Sequence, residues 1–286
     1  MTISATVIAD SISEKGDRLT TLQLRYPRYI HAEFMTHRQF SRNASSSRAI
    51  PVKRLVQDIL DDALFPSYWG ANQKGMQAGD EIDTPVVLYD PDDPEITHSC
   101  SREVAWDATR KFIIMVAEAY DKAGYHKQVV NRLLEPFSHI NVVVTSSLWS
   151  NFFKLRRHPD AQPEMQELAD AIFYEMEESS PVVRTSQDYH VPYVSEEERL
   201  DLRNNLDFIK VSVARCARVS YLTHDGKKPN VADDLKLYER LVSASIIHAS
   251  PCEHQAWPDP KRLNKHLWGN LFGWVQYRKT LVGECW

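Results

Sequence analysis

The sequence predicts an α+β fold in one domain over residues 1–286, with long helices packed against a mixed or antiparallel sheet. Three observations predict it. The stretches "ATVIADSI" and "RLTTLQLRYP" alternate apolar and polar side chains as strands do. From Ser101 the apolar residues fall at helical spacing instead. A hydrophobic content of 43% over 286 residues is enough to bury a sizeable core.

Taken in order, "ATVIADSI" reads as the first strand. Residues 17–35 read as a second that runs into a charged stretch, with Leu22 and Leu24 on one face. "PVKRLVQDILDDALF" reads as a helix with Pro51 in its first turn. The segment 66–100 is rich in Gly, Pro and Asp and reads as an ordered but irregular insertion. A long helix is expected from Ser101 to Gly124, its apolar face marked by Ala105, Ala108, Phe112, Val116, Ala119 and Tyr120. Further helices are expected at about 126–136, 145–156 and 161–178. "FIKVSVARCARVSYL" (208–222) reads as a strand, and 231–247 as a helix ending near His248.

Charge and composition exclude several classes. The net charge of −5, without an Arg- or Lys-rich tail, argues against a nucleic-acid binder. The start "MTISATVIAD" lacks the basic region and apolar core of a secretory signal. No window approaches the roughly 18 apolar residues of a membrane span. Cys100, Cys216, Cys252 and Cys285 are scattered without a CxxC pair, which suits reduced thiols in a cytoplasm. His126, His158 and His266 are not spaced as metal ligands, so no metal is expected.

The chemistry concentrates in "THRQFSRNASSSR", residues 36–48, with three arginines, a histidine, an asparagine and five hydroxyl side chains. Arg38, Arg42 and Arg48 could belong to a solvated loop. Against that, Ser45, Ser46 and Ser47 directly precede Arg48, and small residues let backbone N–H groups approach an anion. Arginine adds a planar fork that matches phosphate oxygens two at a time. Arg132 in "HKQVVNRLLEPF" and Arg156 in "SNFFKLRRHPDAQ" are two more candidates, each readable alone as a structural ion pair.

These residues resemble the signature of the flavin-dependent thymidylate synthases, in which Arg-His-Arg is followed by Ser, Asn, Ser and Arg at fixed steps. His37, Arg38, Ser41, Asn43, Ser46 and Arg48 stand in register with it. "NRLLEP" (131–136) and "NFFKLRRHPDAQPEMQ" (151–166) resemble two later segments of that family. "HASPCEH" (248–254) resembles a motif that the family carries near its N-terminus. Its place near the end of this sequence implies a circular permutation of the family's segment order.

The resemblance implies a homotetramer with active sites shared between subunits, making dTMP from dUMP. Methylenetetrahydrofolate would supply the carbon and reduced FAD the hydride, with NADPH recharging the flavin. Glu33, Thr36, Ala44, Ser45, Ser46, Ser47, Arg48, Arg132 and Arg156 would hold dUMP. Thr36, His37, Arg38, Asn43, Thr145, Asn151, His248, Ser250 and Glu253 would hold FAD. Arg156 is the catalytic candidate, placed against the uracil edge, where a fixed cation favours ionisation at N3 and enriches C5.

Several positions depart from the family pattern. Thr36 replaces the first Arg of the triplet, Glu33 a Gln, Ala44 a Glu, Thr145 an Asn, Ser147 an Arg and Asp160 a His. Arg25, Arg28, Arg42, Arg278 or Lys279 would have to replace the missing charge. Cys252 sits where the family has Phe and reads as a small buried hydrophobe rather than a nucleophile. Two alternatives stay open: a related C5 methyl- or hydroxymethyltransferase acting on another pyrimidine nucleotide, and a non-catalytic nucleotide-binding protein.

Overall fold

A computed structural model describes residues 3–284 apart from 76, 78, 91, 94, 96, 203–205, 220–229 and 243–246. In chain order it runs β1 (Ser4–Ser13), β2 (Arg18–Pro27), α1 (His31–Met35), β3 (Ser41–Ala44), α2 (Val52–Asp61), β4 (Val86–Tyr89) and β5 (Thr97–Cys100). The middle of the chain forms α3 (Arg102–Lys122), α4 (Lys127–Leu134), β6 (His139–Ser146), α5 (Ser150–Arg156), α6 (Pro163–Glu178) and β7 (Val182–Arg184). Then come α7 (Glu196–Asp201), α8 (Asp207–Arg218), α9 (Val231–Val242), β8 (Ala256–Pro258) and β9 (Trp274–Gln276).

The central sheet has the order β3-β6-β2-β1-β7. Its ladders are antiparallel except for β1 beside β7, so the expected α+β class with a mixed sheet is what forms. A period of two sorts the β2 side chains. Leu22, Leu24 and Tyr26 meet Ile140, Val142 and Val144 of β6 under α5 and α6, where Phe152, Met165, Leu168 and Ile172 close the main core. Thr21 and Thr145 are cross-strand partners on the opposite face. There Val143 packs on Cys216 and Val219 at the end of α8. A second core joins α2, α3 and α4 through Leu55, Ile59, Ile114, Ala117, Val130 and Leu134. The β8–β9 ribbon folds back so that Ala256, Leu271 and Trp274 enclose Leu19.

Several expected elements are corrected. The strand expected over 208–222 is not what forms where the chain is described: α8 occupies Asp207–Arg218, and 220–222 lie outside the described residues. The Val-Ser-Val-Ala run of α8 mimics strand alternation because every residue from Val211 to Ala217 is buried, and the half-exposed Asp207, Lys210 and Arg218 lie outside that run. The second strand stops at Pro27, and a 3-10 turn and α1 fill the rest of 17–35. Residues 145 and 146 end β6, so that helix starts only at Ser150. The insertion 66–100 contains the β4–β5 hairpin. The helix expected over 231–247 is observed to Val242, and 243–246 lie outside the described residues. On α3 the buried face is Ala105, Arg110, Ile114 and Ala117, whereas Phe112 and Tyr120 are exposed.

Candidate active site

The signature stretch is built in two halves. Its first half closes α1: Arg42 Nη1 donates to the carbonyls of Met35 (3.0 Å) and His37 (2.9 Å), which leaves the last turn of the helix capped by a guanidinium. This fixes Thr36 and His37 beside Arg156 at the end of α5. Arg156 Nε donates to His37 Nε2 at 2.8 Å, and its Nη2 to the Thr36 hydroxyl at 3.3 Å. Among the described residues Arg156 has no carboxylate partner, so its charge is uncompensated by an ion pair. Burial and the Arg156 and Arg42 guanidinium groups hold His37 down to about 4, so it is neutral and can accept. The ring is kept in place by Phe40, at 5.8 Å and stacked, and by the edge of Phe152 at 5.0 Å.

Arg156 and Glu33 line a cavity of about 770 Å³. Tyr29, Tyr68, Trp106 and Glu164 form other parts of its wall. Glu164 is committed to the Tyr29 hydroxyl (3.0 Å) and the Ser67 amide (3.1 Å). One carboxylate oxygen of Glu33 is buried with no hydrogen-bond partner among the described residues. The insertion 66–100 thus supplies part of this wall, a role its sequence did not announce.

The second half of the stretch anchors on β6 and α4. Ser45 gives its N–H to the Asn141 carbonyl (2.8 Å) and accepts the Asn141 N–H (3.1 Å). Ser47 donates its hydroxyl to Glu135 (2.6 Å), and the buried Asn131 clasps the Ser47 and Ile50 carbonyls at 2.7 and 2.9 Å. The side chains of Ser45 and Ser47 are therefore engaged inside the protein, where they anchor the loop. Ala44 and Ser46 are half-buried and Arg48 is exposed beside them. Arg132 is 57% exposed and pairs with Glu135 at 2.9 Å, the ion pair that its sequence also allowed. Arg28 completes this corner, reaching the Ser138 hydroxyl (3.2 Å) and the Ser45 carbonyl (3.4 Å). Pro136, next to Glu135, lines the Arg156 cavity, so the two groups of residues adjoin.

A third group lies across the sheet. Asn43 sits 3.3 Å from the Ser250 hydroxyl and 3.0 Å from His254 Nε2. His248 and Ser250 are exposed, while Glu253 is tied to Arg278. Thr145 is 0% exposed and its hydroxyl is engaged by Thr21 and His254. In this position it supports His254 from within the sheet. Arg38 and Asn151 are exposed. Of the replacements considered for the missing arginine, Arg42 is used as a helix cap, Arg25 pairs with Asp62, and Arg278 with Glu253 and Glu284. Cys252 is fully buried in an apolar cluster with Val213 and Tyr238, and burial pushes its thiol up to about 12.

Comparison with protein families decides the identity. Residues 19–182 match the family model described as thymidylate synthase complementing protein, which is more than half of the chain. The chain belongs to this family. It carries the flavin-dependent thymidylate synthase signature noted above and is an enzyme of the methyltransferase type. A search of curated proteins finds no match. Among solved structures, the chain is similar to the flavin-dependent thymidylate synthase ThyX of Helicobacter pylori complexed with FAD and dUMP. The identity is 13%, the TM-score 0.39, and the match covers 55% of this chain and 67% of that one. A second structure of Helicobacter pylori thymidylate synthase X with FAD and dUMP gives 12% identity, a TM-score of 0.39 and the same coverage. Likeness of this degree transfers no residue roles.

The motifs named Arg156, His37, Asn43 and Ser47, but not the roles of Asn131 and Glu135 in holding Ser47 or of His254 beside Asn43. Asn131 carries no signal of its own, because a buried amide that clasps two carbonyls looks in sequence like any helical Asn. Among the described residues no helix is long and apolar enough to cross a membrane, and no group of three metal-ligating side chains occurs.

Proposed function

We propose that the Arg156 cavity takes the uracil ring of dUMP and that the chain makes dTMP there, with FAD as the redox cofactor. The observation that carries this reading is Arg156 itself: a guanidinium with no carboxylate partner among the described residues, held by neutral His37 and Thr36, on the wall of a cavity. A cation fixed in that way favours negative charge developing on a ring that lies against it, and it needs no reorganisation to do so. Ser46, Arg48, Arg132 and Arg28 would hold the phosphate beyond the Pro136 edge of the cavity. Arg132 would have to exchange Glu135 for it, which its 57% exposure permits. Glu33 and Thr36 would border the base.

For FAD, the donor set fits an anionic dinucleotide. Arg38, Asn151, His248 and Ser250 are exposed polar groups, with Asn43 half-buried among them and Thr36 and His37 at the cavity side. Glu253, already paired with Arg278, would act by holding that segment. When bound, FAD supplies the hydride that completes the methyl group. Methylenetetrahydrofolate as carbon donor and NADPH as reductant belong to the same reading, as do a cytoplasmic location and the permuted segment order suggested by "HASPCEH".

A homotetramer with shared sites is also part of it. Its support is the outer face of α3, where Val104, Phe112 and Met115 are 56%, 59% and 56% exposed. Apolar side chains gathered on one helix face favour burial against a second copy.

Two measurements test the reading. The purified chain should bind FAD and show oxidised-flavin absorbance, and it should convert dUMP to dTMP with methylenetetrahydrofolate and NADPH present. Protein that stays colourless after incubation with FAD refutes it. A hydroxymethylated product would replace the product assignment alone.

A further inference from the structure

Five side chains form a continuous buried hydrogen-bond chain through the sheet, and the reaction as proposed uses none of its inner links. His190 Nδ1 lies 2.9 Å from the Ser11 hydroxyl and its Nε2 lies 2.8 Å from the Thr21 hydroxyl. Thr21 and Thr145 hydroxyls are 2.6 Å apart across the β2–β6 ladder. Thr145 is 2.8 Å from His254 Nδ1, and His254 Nε2 is 3.0 Å from the Asn43 amide. Ser11, Thr21, Thr145, His190 and His254 are all at most 1% exposed. The backbone of His190 is pinned in turn by a bridge to Ala256, at 2.8 and 3.2 Å.

Each inner link has one hydrogen to give and one acceptor to offer, so the chain has only two self-consistent directions. The Asn43 end decides between them. The amide atom that faces His254 also lies 3.1 Å from the Ser250 carbonyl and 3.2 Å from the Arg42 carbonyl. An oxygen there would confront two carbonyl oxygens that cannot turn away. A nitrogen there has two hydrogens to share among these carbonyls and His254, and it offers no lone pair, so His254 cannot point a hydrogen at it. His254 Nε2 must then be the acceptor, which puts its hydrogen on Nδ1, toward Thr145. The Thr145 hydroxyl donates to Thr21, Thr21 donates to His190 Nε2, and His190 Nδ1–H donates to Ser11. The opposite direction would gain a partner for the Ser11 hydrogen, but that hydroxyl rotates freely whereas the two carbonyls do not.

We propose that the chain runs in this one direction, from Asn43 to Ser11. His254 and His190, each neutral with its proton on Nδ1, are positioning residues that fix which end of the Asn43 amide faces the Ser250 segment. With the amide so held, its oxygen is the atom turned to the Ser250 hydroxyl. The chain stops at Ser11, which is 1% exposed, so it positions and does not conduct protons to solvent. The functional half of this inference rests on the reading that Asn43 and Ser250 contact FAD; the direction of the chain does not.

The test uses full-length protein labelled with nitrogen-15 at histidine. Two-bond proton–nitrogen correlations should show His254 and His190 neutral with the hydrogen on Nδ1 between pH 6 and 8. A hydrogen on Nε2 of His254, or a mixture, overturns the proposal. Thr21→Val removes the acceptor of the Thr145 hydroxyl, which can then turn to His254 Nδ1 and drive its proton to Nε2 against the Asn43 amide. That variant should show the altered His254 tautomer and bind FAD about tenfold more weakly, and Thr21→Ser should restore both. An unchanged tautomer, or an unchanged FAD affinity with an altered tautomer, refutes positioning through Asn43. Failure of the unmutated protein to bind FAD would instead refute the proposed function, and the tautomer result would still decide the direction of the chain.

Discussion

Arg156 and Arg157 are neighbours with opposite duties. Arg156 turns to His37, Thr36 and the cavity, whereas Arg157 reaches Asp170 at 2.5 Å and lies 3.8 Å over the Phe173 ring. Arg156→Ala should lower turnover by about 100-fold or more while FAD affinity holds, the scale of losing one preorganised electrostatic contact. Arg156→Lys should rescue little, because an ammonium lacks the planar fork that engages His37 and Thr36 together. Arg157→Ala should leave turnover within about threefold and cost roughly 1 kcal/mol of stability through the lost pair and ring contact. Steady-state rates and denaturant midpoints on the two variants separate the duties; loss of turnover in Arg157→Ala alone would reverse them. Cys252→Ala should keep most of its turnover, because a fully buried thiol pushed up to about 12 supplies no thiolate at neutral pH. Labelling of unfolded but not native protein by a thiol reagent would check the burial directly.

At the scale of elements, what the sequence announced and what it concealed have one physical cause. Strand β2 alternates between buried and half-buried side chains from Leu22 to Tyr26, and helix α6 buries one face, so the periods of two and 3.6 show through. Helix α8 is buried throughout residues 211–217, and the valines of that run imitate a strand. On α3 the apolar residues lie on two faces, and the one exposed in a single chain was mistaken for the core face. The site follows the same division. His37, Asn43 and Ser45 belong to one short stretch and Arg156 to another, while the residues that hold them come from far along the chain, such as Asn141 on Ser45 and His254 on Asn43. Helix α8 owes its place to charge as well as packing. Arg215, with its side chain 8% exposed, pairs with Asp234 of α9 at 2.9 Å and with Glu198 at 2.6 Å, and Arg218 shares Asp234 at 2.7 Å. Asp234→Ala leaves Arg215 and Arg218 facing a void where their partner stood. The expected cost is about 3–5 kcal/mol, measured as a lower denaturant midpoint with amide exchange rising first in α8 and α9. Asp234→Asn, which keeps the shape and one acceptor, should lose less.

For the whole molecule, the buried imidazoles set how stability depends on pH. Burial holds His190 and His254 down to about 3, with Arg184 and Arg199 adding to the effect on His190. Burial and nearby arginines hold His31, His37 and His139 down to about 4. In the unfolded chain each returns to roughly 6.5. The unfolded state therefore binds more protons between pH 4 and 6.5, so stability is full above that window and falls as pH drops through it. For one fully buried histidine the loss between pH 7.5 and 5 is about 2 kcal/mol. Lowered carboxylates act in a different range. Glu198, held at about 2 by Arg215, contributes stability that is lost only as pH falls below the usual carboxylate value of about 4.3. Destabilisation above pH 5 can thus be attributed to the histidines. Denaturant titrations at pH 7.5, 6 and 5 should show it, with net proton uptake on unfolding near pH 5.5 seen as a buffer-dependent calorimetric enthalpy. In His190→Gln the slope should become shallower, because one of the groups that must stay neutral to remain buried is gone. A stability that is flat from pH 7.5 to 5 would mean that these rings are hydrated or already charged in the folded protein, and the buried chain from Asn43 to Ser11 could not then exist.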